Sequence, residues 1–347
     1  MKLMKTTEAV GQVLCHDITQ IIPGVKKDAV FRKGHIITKE DIPVLLSVGK
    51  DTIYIWENDD TMMHENEAAQ VLYRMCACGT ASKMHPSSVK EGKIEVIADC
   101  DGLLKVDSEK LKKVNSFGEM MMATRHGNTT VKKGDKLAGT RIIPLVIKKD
   151  KLEAASHICD DGPILDIKPF VIRNAAIITT GNEVYHGRIQ DAFTPVIEKK
   201  IAEFGAQMMF HEVFDDDDKK ITDGCLRAIE AGAEIVFCTG GMSVDPDDKT
   251  PLAIKNTGAR IVSYGSPMLP GAMFLLSYYD AGDRLVPICG LPGCAMYNKR
   301  TIFDIVLPRL MARDMILADE LAGLGEGGLC LNCDICTFPN CGFGKGF

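Results

Sequence analysis

The sequence predicts an α/β protein whose main body, over residues 171–315, is a three-layer αβα sheet domain, mostly parallel, preceded by a smaller mixed α+β module. Three observations predict it. Beyond residue 170, apolar strand-like runs alternate with helical segments of ten or more residues, as in parallel strands covered on both faces. Before that point, short β-type runs are split by Gly and Asp turns. The chain has 347 residues, 46% of them hydrophobic, more than one core of about 100–200 residues uses. The expected divisions are a mixed α+β module at 1–90, a small β-rich module at 91–170, the α/β domain at 171–315 and a Gly/Cys-rich tail at 316–347.

Taken in order, RKGHIITKEDIPVLLSVGK offers Thr38 as cap for a helix over residues 39–48, which Gly49 stops. Residues 59–75 place Met62, Met63, Ala69, Val71, Leu72 and Met75 at a loose helical spacing, with acids near the start. KIEVIAD, GLLKVD, TTVKKGDKL and RIIPLVI then read as brief strands of a mixed or barrel-like module, with the next boundary near Pro169. AAIITT, AQMMFHEV, EIVFCTGG and RLVPICG follow as strands. Between and after them, DAFTPVIEKKIAEFG, KKITDGCLRAIEAG and GCAMYNKRTIFDIVLPRLMAR read as helices.

The formal charge of −6 argues against a general polyanion-binding surface, so nucleic acid is not the expected partner. No apolar run approaches the roughly 20 residues that cross a bilayer, and the first residues lack a secretory apolar stretch, so a cytoplasmic protein is expected. Thirteen cysteines, an odd number spread along the chain, suit thiols or metal ligands better than a disulfide framework.

In such a sheet, ligands bind beyond the carboxyl ends of the strands, where loops and helix N-termini gather. Three loops fall there. In TTGNEVYHG, Gly181 permits a tight turn beside the polar Thr180, Asn182 and Glu183. In TGGMSVDPDDKTP, Gly240 and Gly241 let backbone amides approach a ligand, and Ser243 adds a hydroxyl. Asp245, Asp247 and Asp248 in that loop can hold a metal ion or orient a reacting group. In CGLPGCAMYN, Gly293 is expected to open the long last helix and so to offer an anion seat. Each loop alone also reads as an ordinary strand-to-helix connection; their order and shared edge carry the reading. The acidic string at residues 215–218 reads as the solvated first turn of the helix that follows.

TTGNEV, TGGMSVDPDDKTP, SPMLPGAM and CGLPGCAMYN resemble, in order and spacing, the molybdopterin-binding domain shared by MogA, MoaB and MoeA proteins, with a more distant likeness to CinA. The resemblance spans about residues 171–313; RKGHIITKEDIPVLLSVGK and KKGDKLAGTRIIPLVI are more weakly similar to MoeA-like proteins. It implies a molybdopterin-binding fold, with Thr180, Gly181, Asn182 and Glu183 at the pterin and Gly240, Gly241 and Ser243 seating phosphate or pterin. Gly271, Pro292 and Gly293 would complete the pocket. Glu183 and Asp248 would be the catalytic pair, positioning Mg²⁺ or an oxyanion. Its ligand would be molybdopterin or molybdenum–molybdopterin, its partners a molybdoenzyme or cofactor-assembly protein, and its assembly a homodimer or homotrimer. Departures weaken the catalytic implication. Leu269, Pro270, Gly271, Ala272 and Met273 stand where MoeA-type enzymes carry KPGKP, Asn182 where an acid is frequent, and Cys294 where Asn is frequent. Losing a charge-stabilising contact can cost a factor of about a hundred in rate. The function implied is thus molybdopterin binding in molybdenum cofactor biosynthesis, with a molybdotransferase, a noncatalytic carrier or sensor, and a CinA-like hydrolase of nucleotide derivatives as its forms.

The tail, CLNCDICTFPNCGFGKGF, leaves two residues between Cys330, Cys333 and Cys336 in turn and a gap of four before Cys341. Such intervals let thiolates converge on an iron–sulfur cluster or a structural Zn²⁺, against the alternative of a flexible reduced tail. Cys76 and Cys78 are too close for a knuckle of their own, and Cys225, Cys238 and Cys289 read as ordinary buried thiols. His186 and His211 flank the first loop and a strand end, and read as loop or core residues.

Overall fold

The computed structural model describes residues 2–22, 26–55, 59–77 and 83–346. The chain divides into two compact units, Met1–Cys100 with Val106–Arg125 and Lys133–Asp166, and Asp101–Lys105 with His126–Lys132 and Ile167–Phe347. Among the described residues no helix is long and apolar enough to cross a membrane.

In the first unit, Lys2–Lys5 pairs antiparallel with Thr52–Ile55, and Ile18–Ile22 pairs antiparallel with Lys26–Phe31. Leu14, Ile18, Ile37, Leu45 and Ile53 form their shared core. The helix here is Asp41–Ser47, shorter than expected, and Thr38 does not cap it. The Asp41 carboxylate instead accepts from the Thr38 N–H at 2.8 Å and meets His35 Nε2 at 2.7 Å. The helix expected over 59–75 begins only at Glu65, because Met62–His64 pairs as a strand with Val146–Lys148. Cross-strand pairing wins over a loose helical pattern there. From Glu65 to Ala77 the buried positions Ala68, Ala69, Leu72, Met75 and Cys76 follow the helical period. Cys78 lies outside the described residues. The β-type runs form a sheet in the order Met84–Pro86, Lys93–Ala98, Lys136–Ile142, Met120–Thr124. The segment also holds two helices that its β-type runs do not suggest, Ser108–Ser116 and Lys149–Ser156. Asp107 caps the first by accepting from the Lys110 N–H at 2.9 Å.

The second unit contains the α/β body, from Asn174 onward. Its elements are β1 (Asn174–Thr180), α1 (Asn182–Tyr185), α2 (Phe193–Ala202), β2 (Gln207–Phe214), α3 (Asp218–Glu230), β3 (Ile235–Thr239), α4 (Thr250–Asn256), β4 (Arg260–Tyr264), β5 (Leu275–Asp280), β6 (Leu285–Leu291), α5 (Ile302–Met311) and α6 (Ala318–Gly323). The strands form one sheet in the order β2-β1-β3-β6-β5-β4. The first four are mutually parallel, whereas β5 runs against both β6 and β4. Strand residues alternate between two cores. Ile177 and Phe237 pack with Ile197, Ile201, Phe303 and Leu310 of α2 and α5, while Ile178, Val236 and Cys238 pack with Ile221, Cys225 and Ile254 of α3 and α4. Sheet and helices thus make three layers. Burial pushes the Cys289 thiol up, and a hydrogen bond with Cys225 together with burial does so at Cys238; these are inert core thiols.

The last helix departs from expectation. Gly293 starts only a short 3-10 turn, Gly293–Met296, and α5 begins after Thr301. Thr301 and Asp304 form a capping box there, with Asp304 Oδ2 accepting from the Thr301 N–H at 2.9 Å. A reciprocal cap outcompetes a continuous helix through Tyr297–Arg300.

Asp314, 5% exposed, accepts from Arg309 Nε at 2.7 Å, Lys105 Nζ at 2.8 Å and Lys168 Nζ at 2.5 Å. Burial alone would raise its carboxyl, but these three cations bring it down to about 2 from a reference of 3.8. The folded value lies below the unfolded one, so ionised Asp314 stabilises the fold above about pH 4 and that contribution fades as the pH falls towards about 2. Asp314→Ala, which strands the cations, should lower the unfolding free energy at pH 7 by about 3–5 kcal/mol. Urea unfolding of the two chains at pH 7 checks the figure, and equal midpoints would refute the assignment.

Candidate functional site

The register of the parallel strands builds the site. Thr179 of β1 lies opposite Thr239 of β3, which lies opposite Leu291 of β6, and Thr180 lies opposite Phe214 of β2. The residues that follow, Gly181, Gly240 with Gly241, Pro292 with Gly293, and the acids after Phe214, therefore leave the sheet along one edge. Tyr264 ends β4 at the same edge, opposite Leu275, so the connection carrying Gly271 belongs to this rim as well.

Two threonines tie the first two loops together. Thr180 Oγ1 donates to the Thr239 carbonyl at 3.1 Å and lies 3.0 Å from Thr250 Oγ1, while Thr250 Oγ1 donates to the Gly240 carbonyl at 2.9 Å. Gly240, at φ +82°, presses so close that a Cβ would stand 2.1 Å from the Thr180 carbonyl oxygen. Further along, the Tyr264 hydroxyl donates to the Met242 carbonyl at 3.1 Å and holds the exposed Ser243 end of the loop. Thr180, Gly181, Asn182, Gly240, Gly241, Ser243, Pro292 and Gly293 thus share one edge. Gly271 lies deeper, buried against Ile302 at the start of α5. Because Gly293 opens a four-residue 3-10 turn and not the long helix, the dipole seat expected there is reduced to that turn's own amides.

The acids of the rim face one another. Glu183 is exposed at the start of α1 and Asp248 closes a turn by donating its N–H to the Asp245 carbonyl at 2.9 Å. Asp216, which the sequence suggested was only part of a solvated helix turn, accepts from the Asn182 N–H at 3.1 Å and so binds the first loop to the end of β2. Its neighbour Asp217 does cap α3, accepting from the Lys219 and Lys220 N–H groups. Burial pushes the Asp216 carboxyl up, and the charges of Glu183, Asp247 and Asp248 push it further, against the Asn182 hydrogen bond. The only sequence sign of this role was its position directly after a strand end. Among the described residues no three His, Cys, Asp or Glu side chains are grouped to hold one ion. His211 Nε2 lies 3.2 Å from Thr179 Oγ1 and 3.5 Å from Asp191 Oδ2, and His186 is exposed beside the Tyr185 ring.

Gly240→Ala, with a methyl group driven into a carbonyl and a positive φ, should destabilise the domain by about 2 kcal/mol or more. Denaturant titration measures this, and an unchanged midpoint would contradict the close approach. Asp216→Asn keeps an acceptor for Asn182 and removes the charge. Since the folded value of Asp216 is raised, the wild type gains stability as the pH drops below that value. The variant should accordingly melt higher at pH 7, and its advantage should close in the acid range where Asp216 is protonated. Melting curves across that range decide it.

Residues 176–312 match the family model described as "Probable molybdopterin binding domain", and residues 3–57 match a "Domain of unknown function (DUF8806)". A "Putative competence-damage inducible protein" of Geobacillus sp. (strain WCH70) is 34% identical over 89 residues, 26% of this chain and 20% of that protein. Its counterpart in Bacillus velezensis is 28% identical over 90 residues, 26% of this chain and 21% of that protein. The chain spans about a fifth of the length of these curated relatives. Among solved structures, the tungsten cofactor synthesizing protein MoaB from Pyrococcus furiosus is 18% identical, covering 43% of this chain and 91% of that one at a TM-score of 0.31. CinA from Thermoplasma acidophilum is 20% identical, covering 36% of this chain and 92% of that one at a TM-score of 0.29. The family match, falling on the segment whose strands build the rim, settles the assignment: residues 176–312 are a domain of the molybdopterin-binding family.

Proposed function

We propose that this domain binds molybdopterin, or molybdenum–molybdopterin, along the glycine-turn rim and holds it during molybdenum cofactor assembly. The observation that supports the reading is the strand register, which sets Gly181, Gly240 and Gly293 side by side at one edge. The pterin would rest against Thr180, Gly181 and Asn182, and its phosphate against the amides of Gly240, Gly241 and Gly293 with the Ser243 hydroxyl. Pro292 and Gly271 would shape the floor.

A holding role, as carrier or sensor, suits the rim better than transfer. Asp216, Glu183, Asp247 and Asp248 crowd it with negative charge, and Leu269–Met273 supplies no cation to offset a developing anion. A molybdotransferase remains the second reading, because Glu183 and Asp248 stand at the same edge as the binding glycines. The recipient would be a molybdoenzyme or an assembly protein, and a homodimer or homotrimer would be the working form.

Fluorescence titration with molybdopterin should give saturable binding. Ser243→Ala should weaken it up to about tenfold, the worth of one hydrogen bond. Incubation with molybdate and Mg-ATP should give no turnover. Turnover that disappears in Glu183→Gln and Asp248→Asn would establish the transferase instead, hydrolysis of nucleotide derivatives would favour the CinA-like form, and failure of molybdopterin to bind would end the proposal.

A further inference from the structure

The cysteine-rich tail pairs with Leu269, in the connection that carries Gly271. It is anchored on the α/β unit at both ends. Leu269 donates its N–H to the Gly328 carbonyl at 2.8 Å, Cys330 returns one to the Leu269 carbonyl at 2.8 Å, and Gly344 donates to the Gly327 carbonyl at 3.0 Å. Phe343 is buried in the same core as α5, and Gly344 lies so close to it that a Cβ would meet Ile305 Cδ1 at 2.3 Å. The stretch from Cys330 to Cys341 is thus a closed loop whose two ends are fixed together.

Apolar burial does not hold the middle of that loop. It has no helix or strand from Leu331 to Thr337, and Leu331 and Ile335 are 78% and 82% exposed. Ordering such a segment costs about 1–2 kcal/mol per residue in backbone entropy. Its inner side nevertheless borders an open cavity of about 220 Å³, and all four cysteines, none in a disulfide, line it. We propose that Cys330, Cys333, Cys336 and Cys341 bind a [4Fe–4S] cluster in this cavity.

Three features select a cluster over a single ion. A tetrahedral Zn²⁺ with bonds of about 2.3 Å needs its sulfurs roughly 3.8 Å apart. The four cysteines instead line a cavity of about 220 Å³, more room than a single ion fills. The first three cysteines have the two-residue intervals with which ferredoxin-type loops wrap a cluster, and Cys341, from the other anchored end, supplies the fourth thiolate. Finally, a cluster with four thiolates carries net negative charge, and Arg300, paired also with Asp304 at 2.9 Å, lines the same cavity with its guanidinium 4.7 Å from the Phe338 ring centre. Lys299 Nζ, donating to the Asp334 carbonyl at 3.2 Å, adds a second cation at the cavity wall. Hydrogen bonds and charges of this kind tune cluster sulfurs.

The full chain, purified without oxygen and reconstituted with ferric iron, dithiothreitol and sulfide, should contain about four iron and four acid-labile sulfide per chain. It should also show a broad visible absorption that bleaches with dithionite. Cys333 and Cys336 are exposed, so the double variant Cys333→Ser, Cys336→Ser should keep the circular dichroism of the parent yet lose most of the iron, while Cys100→Ser keeps it. Absence of iron after reconstitution, one zinc per chain in place of iron, or iron retained in the double variant would each overturn the proposal. Because the readout is metal content, its failure is independent of whether the rim binds molybdopterin.

Discussion

Everything at the rim depends on how closely β1 and β3 approach where they end. Thr180 and Gly240 meet with a carbonyl oxygen occupying the space that a Cβ would need, and Thr180 Oγ1 and Thr250 Oγ1 fasten the contact from the side. This contact makes two loops that are distant in sequence into one surface. Without it the loop after β3 would swing free of the turn after β1, and backbone amides could not converge on a shared ligand. The requirement is steric and local: the absence of a side chain at Gly240 admits the approach, and the Thr180 and Thr250 hydroxyls fasten it.

The electrostatics of the rim run against the same geometry. Anion seats in α/β proteins use free amides and the positive end of a helix, but the next α-helix after Gly293 begins nine residues later, at Ile302, behind the Thr301 and Asp304 capping box. Asp216 meanwhile occupies the first-loop amide of Asn182, spending on the protein a donor that a phosphate could have used. With Glu183, Asp247 and Asp248 acting on it as well, the edge favours a ligand recognised by shape and hydrogen bonding over one held chiefly by charge.

Much of the α/β body was legible in the sequence because parallel strands buried on both faces leave continuous apolar runs. Ala175–Thr180 and Ile235–Thr239 are buried at every position, and the helices between them carry clear amphipathic spacing. The antiparallel pair was not legible. Arg260–Tyr264 has no buried residue, and its strand character comes from pairing with Leu275–Asp280. Ser108–Ser116 was hidden for the opposite reason: a helix with one buried residue, Val114, leaves almost no periodic signal. At the site, glycines and strand ends could be read from motif order, whereas Asp216 could not, since its partner Asn182 is close only after β1 and β2 have paired.

The tail shows how the same limits apply to cysteines. Spacing along the chain gives the bite of consecutive thiolates but not whether the fourth can return to them, because that depends on where the chain is anchored. Here the return is made by backbone pairing at Gly327–Cys330 and by Phe343 entering the core, both remote from the cysteines in the middle of the loop. A loop closed in this way gives up its freedom before any metal arrives, so metal binding has less ordering to offset. A tail that was free would have to supply that ordering from the metal–thiolate bonds alone.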